Sequence, residues 1–175
     1  NLSLKKRNGM LEDMTEDVAG LVLESNIRQS QLISFEHNLR ARASADAHLH
    51  MMRVFEKQGL LDRKVEFLPD DDEMSQRIKD DKGLTRPELS VLMAYSKMDL
   101  YNKLVSSPLK DEAGLDSYLV NYFPPLLREK MPDSIASHPL RGEIITTVLT
   151  NEIINRMGLS FIYRLRNETG YQDDT

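Results

Sequence analysis

Two short strings hold the side-chain types that chemistry needs. Asp46, His48 and His50 form a D-x-H-x-H run, and Ser137-His138 places a hydroxyl beside an imidazole. On a strand, alternate residues share a face, and the first string could hold a divalent cation. Its neighbours have helical periodicity, however, and two-residue steps on a helix send side chains to different faces. A serine hydrolase needs its serine, histidine and acid brought together around a sharp turn. Ser137-His138 lies instead in a proline-bounded loop with no nucleophile elbow. Asp70, Asp71, Asp72 and Glu73 could attract a cation but lack the glycine turn and ligand spacing of an EF-hand, and they read as the acidic start of a helix. The chain has no cysteine, which excludes disulfides, thiolate metal sites and cysteine nucleophiles. A nicotinamide enzyme needs closely spaced glycines around the pyrophosphate, and here no two of the 8 glycines are closer than 11 residues. No catalytic, cofactor-binding or metal-ligating residue is therefore assigned to this chain.

What remains is a set of polar side chains expected to make structural or interdomain contacts: Thr85, Arg86, Glu88, Arg141 and Asn151. Thr85-Arg86-Pro87-Glu88 has the pattern of a capping box, with proline in the first turn where its missing N–H costs nothing. Arg86 and Arg141 each stand near a helix start, where a cation opposes the dipole. Each is therefore expected to have a carboxylate partner, on this chain or on another domain. Asn151 and Asn155 share a side of one helix, and a buried amide there must find partners. They could tie two helices together or contact a neighbouring domain or ligand. His37 reads as a surface or half-buried helix residue. Tyr118, Tyr122 and Phe123 read as core or interface rather than as a base-stacking platform.

The elements that position these residues follow from periodicity and punctuation. Helices are expected over 10–25, with Glu12, Asp13, Glu16 and Asp17 in an acidic first turn, and over 28–39. A third should cover 44–57, with Ser44 as amino cap and Gly59 as stop. A connector follows to Pro69, in which Val65-Glu66-Phe67 is the best strand candidate, then a short helix to about Lys79. A central helix should run from the Thr85 cap to about Ser106, with Ser96, Asp99, Lys103 and Ser106 as a polar stripe. An amphipathic helix over 111–123 is weakened by Gly114 and broken by Pro124-Pro125, and 126–130 could add one turn. A long helix over 139–157 should stop at Gly158, with a last short one over 161–165. The fold class is thus all-α, an irregular bundle of about seven helices with little or no sheet. The expected division is a linker or tail from a preceding domain over 1–9, a helical domain over 10–168 and a flexible tail over 169–175.

Composition bounds the partners. With 175 residues and 40% hydrophobic side chains, the chain can fill one core of ordinary size. Its 23 basic residues are scattered and outnumbered by 28 acidic ones, a net charge of −5, which argues against a nucleic-acid surface. No apolar run approaches a membrane span. Lack of cysteine fits a reducing cytoplasm. The first residue is Asn1 rather than methionine, so a processed product or a piece of a longer chain is expected.

Several strings resemble the bacterial large NAD-specific glutamate dehydrogenases. They are Met14-Thr15-Glu16-Asp17-Val18-Ala19 with Leu21-Val22-Leu23, Gln29-Ser30-Gln31, and Leu60-Leu61-Asp62-Arg63 with Glu66-Phe67-Leu68-Pro69. The most specific runs from Gly83-Leu84-Thr85-Arg86-Pro87-Glu88-Leu89-Ser90 through Val91-Leu92-Met93-Ala94-Tyr95-Ser96-Lys97. Tyr122-Phe123-Pro124, Leu140-Arg141-Gly142-Glu143-Ile144-Ile145, Asn151, and the stretch from Gly158 to Leu165 continue it. Their shared order and spacing carry the resemblance over about residues 10–170. One departure is Gly142, where a second basic residue after Arg141 is expected, and its absence weakens an anion-binding role for that helix start.

The resemblance implies a carboxy-terminal helical segment of a very long chain that converts L-glutamate and NAD to 2-oxoglutarate, ammonia and NADH. Catalytic residues and the dinucleotide fingerprint would lie upstream, so the isolated chain is expected to be inactive. NAD would be the parent enzyme's cofactor, with none bound by this segment. The implied partners are the upstream nucleotide-binding and substrate domains of the same chain, in a cytoplasmic homo-oligomer, with neither nucleic acid nor membrane. The segment would support the catalytic domain, its closure or subunit assembly, with Val18 to Leu23 as the element returning onto the substrate domain. The alternative is a free-standing helical protein-interaction module.

Overall fold

The computed structural model describes residues 3–39 and 43–170. Among them, nine α-helices and no strand occur, so the all-α expectation holds. None of these helices is long and apolar enough to cross a membrane.

The first helix, α1, runs unbroken over Leu4–Leu39. Two separate helices were expected here, but residues 25–28 contain neither proline nor glycine to stop the first. A Glu24–Arg28 ion pair at 2.6 Å, one turn apart, bridges the expected break. The acidic residues from Glu12 to Asp17 consequently lie inside the helix rather than in its first turn.

The next helix, α2 (Ala45–Lys57), follows Ser44, which occupies the cap position without a side-chain cap bond. Gly59 ends it in the left-handed region at φ +70. The Leu60 N–H reaches the Phe55 carbonyl and the Gly59 N–H the Glu56 carbonyl, both at 2.9 Å. That is the paired bonding of a Schellman stop. Helix α3 (Asp71–Lys79) is capped by Asp70, whose carboxylate accepts from the Glu73 N–H at 2.8 Å. Between α2 and α3, the strand candidate at Val65 to Phe67 is a turn instead. Asp62 accepts from the N–H groups of Lys64 and Val65 and so winds the backbone back on itself.

Helix α4 covers Arg86–Ser106. Ser96, expected on a polar stripe, is buried, its hydroxyl donating to the Leu92 carbonyl at 2.7 Å. The expected helix at 111–123 is two 3-10 turns, Pro108–Asp111 and Ala113–Leu115, followed by α5 (Asp116–Tyr122). Helix α6 (Pro125–Lys130) and the unanticipated α7 (Pro132–Ala136) both start on proline. Helices α8 (Arg141–Met157) and α9 (Phe161–Thr169) complete the order. Residues 171–175 of the expected tail lie outside the described residues.

The chain divides into two compact units. One takes the part of α1 up to Arg28 together with Tyr101–Asn151. Its core is Leu119, Ile135 and Ile145, with Tyr118, Phe123, Leu127 and Leu149 packed against them. The other takes Gln29–Leu100 and the residues from Glu152 onward. In it α2 packs on α3 and on α9, and Met52, Met74, Leu89, Leu92, Ile154 and Leu159 are fully buried.

Candidate functional site

The polar residues singled out in the sequence stand at two helix starts. At the start of α4, Glu88 reaches back to accept from the Thr85 N–H at 2.6 Å and from the Thr85 hydroxyl at 2.8 Å. The carboxylate half of the capping box is thus formed, while the Thr85 hydroxyl acts as a donor rather than as the usual acceptor. Glu88 also receives both ends of the Arg77 guanidinium, at 2.8 and 3.0 Å. Arg77 in turn holds Glu73 one turn earlier on α3, at 2.7 Å. Burial works against ionisation of Glu88, but the hydrogen bonds from Arg77 and Thr85 outweigh it and hold its carboxyl below the usual carboxylate range. Arg86 donates to the Ser34 hydroxyl at 2.8 Å. A hydroxyl rather than a carboxylate is its described partner.

At the start of α8, Arg141 pairs with Asp116 and donates to the carbonyls of Lys110 at 2.9 Å and Glu112 at 3.3 Å. One guanidinium thereby ties the two 3-10 turns to the helix that follows. Gly142 has a spatial reason here, because a Cβ at that position would stand 3.1 Å from Cδ of Lys110. The Lys110 stem lies over the glycine and carries its amine to the Val105 carbonyl at 2.6 Å. Asn151 lies half-buried on α8, and the Asn155 side-chain oxygen is buried without a hydrogen-bond partner.

Two further arrangements were not anticipated. Arg63, largely buried, binds Glu56 at 2.6 Å, Asp71 at 2.8 Å and the Pro69 carbonyl at 3.2 Å, clasping the connector between α2 and α3. His48 and Glu36 are each 1% exposed, with the His48 Nε2 3.8 Å from Glu36, too long for a hydrogen bond. Desolvation pushes the imidazole pKa down to about 4. Both ring nitrogens and one Glu36 oxygen are without hydrogen-bond partners. Sequence offered a clue to the first, because the connector around Arg63 is rich in charge. It offered none to the second, which joins residues of different helices.

Asp46 and His50 are exposed while His48 is buried, so the D-x-H-x-H string is split between faces of α2. His50 packs against the Tyr163 ring at 4.5 Å. His138 meets Phe123 at 5.6 Å, and the ring nitrogen of His138 accepts from the Leu140 N–H. Among the described residues no cluster of three or more histidines or carboxylates could hold a metal ion. These arrangements can orient and bind backbone; they do not set a nucleophile against a base.

A family model for the carboxy-terminal part of glutamate dehydrogenase matches residues 81–175, which include both helix starts. The chain is 41% identical over 170 residues to an NAD-specific glutamate dehydrogenase of Pseudomonas aeruginosa, covering 97% of this chain and 10% of that protein. The counterpart in Halomonas elongata is 36% identical over 170 residues with the same coverage. That in Mycobacterium tuberculosis is 36% identical over 168 residues, 94% of this chain and 10% of the relative. The chain thus spans about a tenth of the length of the curated relatives it matches. With the Thr85-Glu88 cap, the Arg141 tie and Asn151 all inside the matched region, the chain belongs to the glutamate dehydrogenase carboxy-terminal family.

Proposed function

We propose that the chain is the carboxy-terminal helical segment of an NAD-dependent glutamate dehydrogenase. The parent reaction takes L-glutamate, NAD and water to 2-oxoglutarate, ammonium, NADH and a proton. In this reading the catalytic residues and the NAD site lie upstream, the segment binds no cofactor and is inactive alone, and the parent is a cytoplasmic homo-oligomer. The segment supports the catalytic domain, its closure or subunit assembly. Near-complete coverage of the chain by relatives named for this activity is the observation that carries the reading.

The finer role belongs to α1. Residues 15–24 are exposed on every side of the helix, Val18, Leu21, Val22 and Leu23 among them. Each such side chain gains roughly 1.5–3 kcal/mol when fully buried, and a bare helix draws little stability from propensity alone. In the parent this helix packs on the catalytic domains and takes part in the closure that excludes water before hydride transfer. The same exposed residues favour one other reading, a free-standing module whose α1 binds another protein.

The test is an assay of glutamate-dependent NAD reduction by the parent enzyme with and without residues 10–175, with oligomeric state read by light scattering. Lost activity with assembly intact assigns the segment to the active site or its closure. Loss of both assigns it to assembly. Unchanged activity and assembly defeat the supporting role, and binding of a separate protein through α1 then favours the module.

A further inference from the structure

The connector between α2 and α3 holds an aromatic ring almost wholly in water. Phe67 is 89% exposed, the most of any large hydrophobic among the described residues, and Val65 beside it is 67% exposed. Phe67 also has φ +54, in the left-handed region. A bulky residue there is an outlier, whereas the other non-glycine in that region among the described residues, Asp81, belongs to a type that visits it readily. Hydration and backbone conformation therefore both disfavour phenylalanine at this position, and asparagine would be cheaper on each count.

The surrounding backbone is held firmly. Leu61, Leu68 and Pro69 are buried on either side of the turn. Arg63 binds Glu56, Asp71 and the Pro69 carbonyl, and the Tyr95 hydroxyl donates to Glu66 at 2.8 Å. The Leu68 N–H closes the turn on the Arg63 carbonyl at 2.9 Å. A side chain presented on a firmly held backbone leaves less backbone freedom to lose on binding, which favours an interface anchor. Strained backbone collects at such sites.

The charges nearby describe what would cover it. Asp62, Asp70 and Asp72 are exposed, while Lys64 is the one exposed cation over residues 62–73. A complementary surface is an apolar pocket with a basic rim. Nine-tenths of the length of the relatives lies outside the region this chain matches, and that is where such a surface is available. We infer that Phe67, with Val65 beside it, is an anchor that docks into an apolar, basic-rimmed pocket on the upstream region of the parent polypeptide. The inference rests on the reading of the chain as a segment of a longer dehydrogenase.

The experiment places p-benzoylphenylalanine at position 67 of the full-length enzyme, with the same photoreactive residue at the exposed Lys79 as control. The expected result is a crosslink mapped by mass spectrometry to upstream residues with lysine or arginine beside them. Crosslinks confined to the 175-residue segment of a second copy, or no more than the control produces, overturn the inference. Phe67→Asn accepts the left-handed backbone and removes only the ring. It should speed proteolytic release of the segment from the full-length enzyme by roughly tenfold, the size of a modest anchor residue; an unchanged rate counts against docking. Glutamate-dependent NAD reduction measured on the same samples separates the two readings. Activity without the crosslink defeats the docking alone, and the crosslink without activity defeats the proposed reaction alone.

Discussion

His48 carries the clearest pH signature of any single residue. Burial lowers its pKa from 6.5 to about 4, so between those values the unfolded chain holds a proton that the folded chain refuses. Stability therefore rises with pH across that window and is lost on acidification from pH 6.5 to 4, by about 3 kcal/mol at full extent. His48→Gln should flatten this part of a plot of urea-unfolding stability against pH; an unchanged slope would show that the imidazole does not titrate with folding. Gly158 stands against Glu36, the carboxylate that faces His48. It has φ +91, and a Cβ there would lie 2.7 Å from a Glu36 carboxylate oxygen. Glu36 is buried, so the end of its side chain must shift within the packed interior. Gly158→Ala should cost about 2 kcal/mol or more, from left-handed strain and this overlap together, measured as a fall in melting temperature.

At the scale of elements, single arginines join consecutive helices. Arg77 spans α3 and α4 through Glu73 and Glu88, and the Glu88 side chain is only 13% exposed. Arg77→Ala leaves that carboxylate with its Thr85 bonds alone and should destabilise the fold by about 1–3 kcal/mol. Because the folded carboxyl of Glu88 is depressed, its contribution is present above the ordinary value of 4.5 and is lost as pH falls through the folded value. This loss begins only as pH falls below 4.5, at the lower edge of the His48 window, so the slope above 4.5 reports His48 and not Glu88. Arg141→Ala should cost about 1–2 kcal/mol, since it releases Asp116 and removes the side-chain donor from the carbonyls of Lys110 and Glu112. Its effect should appear in hydrogen exchange of the turns at 108–115 while α2 and α3 keep their protection. Equal loss in both regions would mean the two units unfold together.

For the whole molecule, α1 is the element whose surface is least accounted for by the chain itself. If it packs on the catalytic domains, amide protection over residues 15–24 in the parent enzyme should rise when glutamate and NAD are added. No change on addition of both would remove α1 from the closing motion. Unprotected amides in every state would remove it from any interface. The anchor at Phe67 makes a separate contact claim, so α1 and the connector can be tested independently.

The sequence by itself determined the class of fold and most helix boundaries, because these depend on local chemistry. Pro87 after Thr85, Asp70 before three acids, and the glycines at 59 and 158 each act within one turn of backbone. It also determined family membership, through ordered strings from Met14 to Leu165. Where local punctuation was missing, boundaries failed: α1 does not break near Ser25, and 111–123 needed the Arg141 tie to arrange its turns. Alternation at Val65 and Phe67 looked like a strand because period two is shared by strands and by short connectors with outward side chains. Only the tertiary structure decided that Arg77 rather than Arg86 partners Glu88, that His48 and Glu36 are buried together, and that Phe67 is held out into water. Those outcomes depend on which helices meet, and pairings between residues distant in sequence leave no trace in local spacing.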